Sequence, residues 1–384
     1  MKRIKLALVF VLGLVVVLAL AGACTVPEPA AEPAAPAPAP AATEEAAPAA
    51  PVTNDADLLV NQPLTHKKSD EFQKSGMEVA PTEKKSVKLG WASPNPGLYH
   101  QTAKKGADEA IATLPDGYDI ELIWQVPTSD SNAAIAEQVN IIETWVNAGE
   151  VDAIATCPVQ DDAMLEPAFK VAMEKGIPVF EYGVDLPMVI NQYFTSCIIY
   201  SQVESSKAVG AWVKENYADV DLKICVVAGP PGPYADARAE GFAKGLEGHK
   251  SYEFLASQSG EWQRDISANA AENMLTAHPD TNLIFCHYDE MAMGAISACI
   301  NRGMLDQVAV VGYDMNTESL EAVKEGLLKC SVYNGTKEAG QDVIKAIKLN
   351  VMDGKPVEKL YLYPPYIVSG ANVGSFDENL LKLD

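Results

Sequence analysis

From Ser86 onward the chain alternates short β-branched runs with longer stretches of helical period, the pattern that crossover helices on a parallel sheet impose. VKLGWAS (87 to 93) reads as a strand and Leu98 to Leu114 as a helix. YDIELIW (118 to 124) is the next strand, and Asn132 to Ala148 carries Ile135, Val139, Ile142 and Val146 at helical spacing. DAIATC, a helix from Met164 to Lys175 and IPVFEY complete a four-strand group, with Gly149 and Gly176 where helices end. The pattern then restarts: a helix at Glu204 to Glu215, KICVVAG, a helix from Ala235 to Leu246, SYEFLAS and a helix from Ile266 to Thr276. TNLIFCH, Met291 to Asn301, VAVVGYD, Glu318 to Glu325, LLKCSVYN and a last helix from Ala339 to Leu349 lead to an extended YLYPPYIV segment. The predicted fold is therefore α/β, two similar lobes on mainly parallel sheets. Ligands of such sheets bind outside the carboxyl ends of the strands, so function is to be sought in strand-end residues.

A chain of 384 residues with 48% hydrophobic and 21% charged content is long enough for two domains with real cores. Its net charge of -23, from 52 acidic and 29 basic residues, argues against a nucleic-acid partner, which needs a Lys/Arg-rich face. Lys2, Arg3 and Lys5 precede an uncharged run from Leu6 to Ala23 that small residues close, the pattern of an export signal (1-23). Ala21-Gly22-Ala23 fits the rule of ordinary signal peptidase, while Leu20 to Cys24 resembles a bacterial lipoprotein signal, with Ala21 where leucine is usual. A lone cysteine before a long tether makes sense mainly as a lipid anchor, and Cys24 is assigned as the lipid attachment site. Residues 24-53, mostly Ala, Pro and Glu, cannot bury apolar surface and read as an extended spacer; residues 54-85 are a polar lead-in without a clear period. The six later cysteines show no CxxC pair and no regular spacing, so they read as buried thiols rather than a zinc site or disulfide scaffold.

The run SQSGEWQRDISANAAENMLTAHPDTNLIFCHYDEMAMGA (257 to 295), with LTAHPD, an apolar strand, DEMAMGA and a downstream GYD, resembles the ribose-binding branch of type I periplasmic binding proteins. These are the substrate-capturing subunits of ABC importers. The resemblance spans about Ser86 to Gly354. It implies lobes of residues 86-200 plus 335-363 and 201-334 plus 364-384, joined by crossing segments near Tyr200, Asn334 and Tyr366.

A sugar offers hydroxyls that both donate and accept, plus a C-H face that packs on aromatic rings. A buried site must satisfy each hydroxyl, since an unpaired polar group costs ~1–3 kcal/mol. By resemblance, Arg238 in ADARAEGF is an arginine that bonds sugar hydroxyls, and Trp262 in GEWQRD replaces a ring-stacking phenylalanine. Asp314, ending VAVVGYD, matches a hydroxyl-accepting aspartate; Asn334 stands where the ribose proteins carry glutamine, and Tyr288 where they carry asparagine. In the first half SPNPGLYH resembles a loop with an asparagine and two aromatics, which places Asn95, Tyr99 and His100 in the site, with Trp91 and Ser93 as alternatives. After the fourth strand the ribose proteins have an Asp-Arg pair; here Gly183 and Val184 take those places, and Asp185 is the candidate substitute. Losing that pair implies a ligand of different shape, or with fewer hydroxyls on that side. Cys157 ends the third strand, either facing the cleft or buried.

AGPPGPYADARAEG resembles a phosphate-binding glycine loop only loosely, lacking both G-x-G-x-x-G and a terminal G-K-[ST]. His287, Asp289 and Glu290 are consecutive and point different ways, a poor metal set, and acids at a helix start suit its dipole. No G-x-S-x-G or H-E-x-x-H is present. The expectation is a non-enzymatic solute-binding lipoprotein without cofactor or metal. It would be monomeric, exported, either held to the outer face of the cell membrane or periplasmic, and partnered with an ABC permease. A sensory protein feeding a chemoreceptor or receptor kinase is the alternative.

Overall fold

The β-branched runs become two six-stranded sheets. A computed structural model describes residues 79–128, 132–158, 165–184 and 193–383. Cys24 with the leader and tether, and Asp185, lie outside the described residues. The first sheet contains β1 (Ser86–Ala92), β2 (Asp119–Gln125), β3 (Ala153–Thr156), β4 (Val179–Val184), β5 (Ser196–Tyr200) and β11 (Leu360–Tyr363). Its order is β11-β5-β4-β3-β1-β2, with every pairing parallel. The second contains β6 (Leu222–Ala228), β7 (Tyr252–Ser259), β8 (Leu283–Cys286), β9 (Ala309–Val311), β10 (Cys330–Tyr333) and β12 (Tyr366–Ser369). Here the order is β12-β10-β9-β8-β6-β7, and only β12 runs antiparallel to its neighbour.

Helices α1 (Leu98–Ala112), α2 (Asn132–Ala148) and α3 (Glu166–Glu174) alternate with the strands of the first sheet. Helices α4 (Gln202–Asn216), α5 (Pro233–Gly245), α6 (Arg264–Ala277), α7 (Asp289–Asn301) and α8 (Thr317–Lys324) do the same for the second. Helix α9 (Thr336–Ile347) follows β10 of the second sheet yet packs on α1 and β4 of the first. The chain thus passes between the sheets after β5, after β10 and after β11.

Two elements differ from the sequence reading. β5, the segment SCIIY, was not expected as a strand. All five of its residues are buried, so it shows no polar-apolar alternation, and no Gly or Pro close to either end marks its bounds. YLYPPYIV, expected as one extended segment, is two strands in different sheets, β11 and β12. Pro364 and Pro365 lie between them, and since proline cannot donate to a ladder, the chain leaves one sheet there and joins the other.

Strands buried on both faces account for the cores: every residue of β3 and of β8 is buried. All six described cysteines are free and buried, acting as small hydrophobes. In the second lobe Phe285 of β8 stacks on Phe242 of α5, with centroids 4.1 Å apart and planes 11° from parallel, and both rings are wholly buried. Phe285→Ala should therefore lower unfolding free energy by about 3–5 kcal/mol, the cost of a large void in a packed core. Urea denaturation followed by circular dichroism measures it; a loss under about 1 kcal/mol would mean that the core collapses freely around the site.

Candidate functional site

Most of the candidate residues sit just beyond strand carboxyl ends. Asp314 follows β9, Asn334 follows β10, Tyr288 precedes α7, Trp262 lies between β7 and α6, and Arg238 comes from α5. Asp314 and Arg238 are buried and face each other, Arg238 Nη1 lying 3.4 Å from Asp314 Oδ2. Asp314 Oδ1 accepts from the Tyr200 hydroxyl at 3.0 Å and from Asn334 Nδ2 at 3.2 Å. Tyr200 ends β5, so this bond joins the two sheets. Asn334 is held in turn by Ser205 of α4, whose hydroxyl donates to its Oδ1 at 2.8 Å.

Each nitrogen of Arg238 has a protein partner. Its Nε donates to Gln202 Oε1 at 2.6 Å, Nη2 to the Tyr200 hydroxyl at 3.3 Å, and Nη1 to the His287 carbonyl. The guanidinium lies 4.0 Å from the centroid of the Tyr313 ring and 5.2 Å from that of Trp262, within cation–π range. Burial is the largest single effect and works against its charge, but Asp314 together with Tyr200, Tyr313 and Tyr99 outweighs it and raises its pKa above the ordinary value. For Asp314 burial dominates and pushes the pKa up, while Arg238 and the bonds from Tyr200 and Asn334 draw it back.

Backbone geometry aims these groups. Asp314 and Met315 take φ of 90° and 51°, and Glu261 and Trp262 take 51° and 58°. A left-handed conformation costs a non-glycine residue roughly 1–2 kcal/mol, so the surroundings must enforce it. The Asp314 amide donates to the Val332 carbonyl at 3.0 Å. The Trp262 indole lies over Gly229, where a Cβ would come within 2.1 Å of the ring, so glycine is required there. Trp262 meets the Tyr288 ring edge-on at 6.4 Å, making an aromatic wall beside Arg238. Buried Asp289 braces this arrangement from below: its Oδ1 accepts from the Tyr313 amide at 2.7 Å and from the Ser331 hydroxyl at 3.0 Å. Burial pushes its pKa up to about 7.

The first lobe contributes Tyr99, half-buried in the first turn of α1, with its ring edge-on to Tyr200 at 6.4 Å. Burial raises its pKa well above the ordinary value, and Cys157 and Asp314 add to this, which puts the phenol within the field of the second lobe's acid. A Cβ at Gly183 would stand 2.9 Å from Cys157 Sγ and 3.5 Å from the Tyr99 hydroxyl. The ends of β3 and β4 therefore present a neutral buried thiol and bare backbone next to Tyr99, where the Asp-Arg pair was absent from the sequence.

The structure brings together Tyr99, Arg238, Trp262, Tyr288, Asp314 and Asn334. It does not bring Asn95 or His100 into that group. Asn95 is exposed, and its Oδ1 accepts from the Gly97 amide at 2.8 Å, shaping the turn into α1. His100 is buried behind Tyr99 in a polar chain: Trp124 Nε1 donates to Ser93 Oγ at 2.9 Å, Ser93 Oγ and the Tyr182 hydroxyl are 2.7 Å apart, and that hydroxyl is 3.1 Å from His100 Nδ1. The alternatives Ser93 and Trp91 are buried in the same region. Sequence reasoning missed Gln202, Ser205 and Tyr313 as supports, and saw Tyr200 only as a crossing point. Of these only Tyr313 carried a signal, in GYD. Among the described residues no group of His, Cys, Asp and Glu could hold a metal ion. A shallow, open depression against β2 and α2, lined by Trp124, Val126, Glu137 and Asn140, includes none of the candidate residues.

Residues 90–356 match the model of a periplasmic binding protein domain. The chain is 29% identical over 263 residues to the ribose import binding protein of Salmonella typhimurium, covering 67% of this chain and 82% of that protein. It is 24% identical over 263 residues to the D-allose-binding periplasmic protein of Escherichia coli, with the same 67% and 82% coverage. Among solved structures, an ABC transporter periplasmic solute-binding protein from Actinobacillus succinogenes with bound D-allose superposes with a TM-score of 0.67 at 25% identity, over 76% of this chain and all of the other.

Burial holds His100 down to about 3, below the ordinary 6.5. The unfolded chain then binds a proton that the folded chain does not, so His100's contribution is complete above about pH 6.5 and declines as pH falls toward about 3. His100→Gln should reduce the slope of unfolding free energy against pH, between about pH 6 and pH 4, by close to one proton relative to wild type. Urea titrations at each pH measure this, and an unchanged slope would mean that His100 takes up its proton in the folded state.

Proposed function

The chain belongs to the periplasmic binding protein domain family, and we propose that it is the extracytoplasmic solute-binding subunit of an ABC importer, capturing a monosaccharide or related small polyhydroxy ligand. The observation that carries this reading is the convergence of Arg238, Asp314 and Asn334, all buried, with the rings of Trp262, Tyr288 and Tyr99. The polar set offers charge-assisted donors and acceptors for hydroxyls; the rings offer faces for C-H surfaces. The ribose and D-allose proteins similar to this chain bind ligands of that chemistry. The thiol and glycine beside Tyr99 support a ligand with fewer polar groups toward the first lobe than ribose presents.

In this reading the lobes are residues 86–200 with 335–363 and 201–334 with 364–384, a division that sheet membership supports. They close on the ligand by bending at the three crossings, the hinge motion for which periplasmic binding proteins are the usual example. Ligand contacts made to both lobes only when closed supply the differential affinity; moving a population from 1:99 to 99:1 takes about 10⁴-fold preference for the closed form. The ligand leaves chemically unchanged. Lipid on Cys24 and the Ala/Pro spacer would keep the protein near its permease.

Mass spectrometry of copurifying small molecules, with a thermal-shift screen of sugars, polyols and nucleosides, identifies the ligand, since stabilisation grows as RT ln(1 + [L]/Kd). Trp262→Ala and Arg238→Ala should each weaken binding by at least ~1–2 kcal/mol, the scale of a lost stacking or charge-assisted contact. Titration calorimetry giving wild-type affinity for both variants would remove this site. Intact-mass measurement of membrane-extracted protein should show a lipid-sized increment at Cys24; a soluble product with an unmodified cysteine would leave only a cleaved signal and a tether.

A further inference from the structure

The loop Gly229-Pro230-Pro231-Gly232-Pro233 drew notice in the sequence as a weak phosphate-binding motif, and the site above uses only its first glycine. Pro233 opens α5, and three prolines in four residues fix φ at each, so the loop is short and stiff. It delivers Tyr234, whose hydroxyl donates to the Pro158 carbonyl at 2.8 Å. Tyr234 belongs to a helix of the second lobe, whereas Pro158 lies just past β3 of the first sheet. The ring of Tyr234 is partly buried against the hydrophobic cluster that includes Cys157 and Phe242.

The position of this bond distinguishes it from the Tyr200–Asp314 bond, which also joins the lobes. Tyr200 sits on a crossing segment, where bending moves atoms little. β3 lies two strands in from β5, and β6, which leads into the Tyr234 loop, three strands in from β10. At about 4.8 Å per strand the Tyr234–Pro158 bond is roughly 10 Å or more from the crossings. At that lever arm a modest hinge rotation separates donor from acceptor, and both return to water.

We propose that Tyr234 is a clasp across the cleft, a positioning residue that favours the closed arrangement whatever ligand lies inside. This inference rests on the reading of the molecule as a two-lobed binding protein. A neutral hydrogen bond made only when closed shifts the closed-to-open ratio by about three- to tenfold. When the ligand-free protein is mainly open, the same factor enters the apparent affinity of every ligand, mostly through faster release. A residue that touches ligand behaves differently, because its loss changes affinity according to which hydroxyls the ligand carries.

Tyr234→Phe removes the hydroxyl and keeps the ring. Titration calorimetry and stopped-flow release, on the full chain with every sugar, polyol or nucleoside that wild type binds, should show a common loss of about three- to tenfold, faster release and an unchanged rank order. Unchanged affinity, or losses that differ from ligand to ligand, overturns the clasp. If wild type binds nothing in the panel, the sugar-binding reading falls on its own. The clasp is then judged by fluorine NMR of ligand-free protein carrying 3-fluorotyrosine, with the Tyr234 signal identified by its absence in Tyr234→Phe. Two environments, or one exchange-broadened signal, support the clasp; a single sharp, solvent-exposed signal overturns it.

Discussion

The buried pair of Arg238 and Asp314 is the constraint around which the rest of the molecule is arranged. Taking a guanidinium and a carboxylate out of water costs several kcal/mol per ion, and their mutual attraction offsets this only where further hydrogen bonds complete both shells. Tyr200, Gln202, Asn334 and the His287 carbonyl supply those bonds. They come from the end of β5, the start of α4, the end of β10 and the end of β8. Two of those places are also where the chain crosses between lobes. The pair can therefore exist only if the crossings are in register, and the crossings are pinned by the groups that the pair needs. A site of this kind is built before any ligand arrives, which limits the ordering cost of binding.

The two lobes face that site unequally. The second contributes charge and hydrogen bonds, held by backbone forced into left-handed φ at Asp314 and at Trp262. Among the described residues, the first contributes Tyr99, Tyr200, the Cys157 thiol and the open backbone of Gly183. Burial raises the Cys157 pKa, so the thiol stays neutral and serves as packing surface rather than as a nucleophile. A ligand seated between such faces gains orientation from the polar side and contact area from the other.

Much of this was legible in the sequence where one physical rule acted alone. Apolar residues at helical spacing marked α2 at both ends, and the fold class followed from the alternation of strands and helices. The second-lobe candidates came from the family resemblance; Tyr288, Trp262, Asp314 and Asn334 lie just past strand ends, while Arg238 reaches them from the second turn of α5. β5 was hidden because no Gly or Pro bounds its short buried run, whereas Gly149 and Pro158 flank the equally buried β3 and Pro279 precedes β8. Asn95 and His100 were drawn into the site by their neighbours. Asn-Pro-Gly is a turn signal in its own right, and the Asn95 carboxamide is used to make that turn. His100 fails for a geometric reason: adjacent helical residues point about 100° apart, so when Tyr99 faces the second lobe His100 faces its own core.

That angular rule also explains why the polar chain behind Tyr99 is worth its burial. Trp124, Ser93, Tyr182 and His100 satisfy one another in sequence, and the His100 imidazole is held neutral by its surroundings. The chain ties β1, β2 and β4 to the first turn of α1, the turn that carries Tyr99. A neutral hydrogen-bonded network fixes that turn without placing a charge near Asp314, whose carboxylate already answers to Arg238. Preorganisation in the first lobe is thus achieved by neutral hydrogen bonds, and in the second by an ion pair. The Arg238–Asp314 pair puts a strong local field on the second lobe's side of the cleft, where a ligand's hydroxyls find charge-assisted partners.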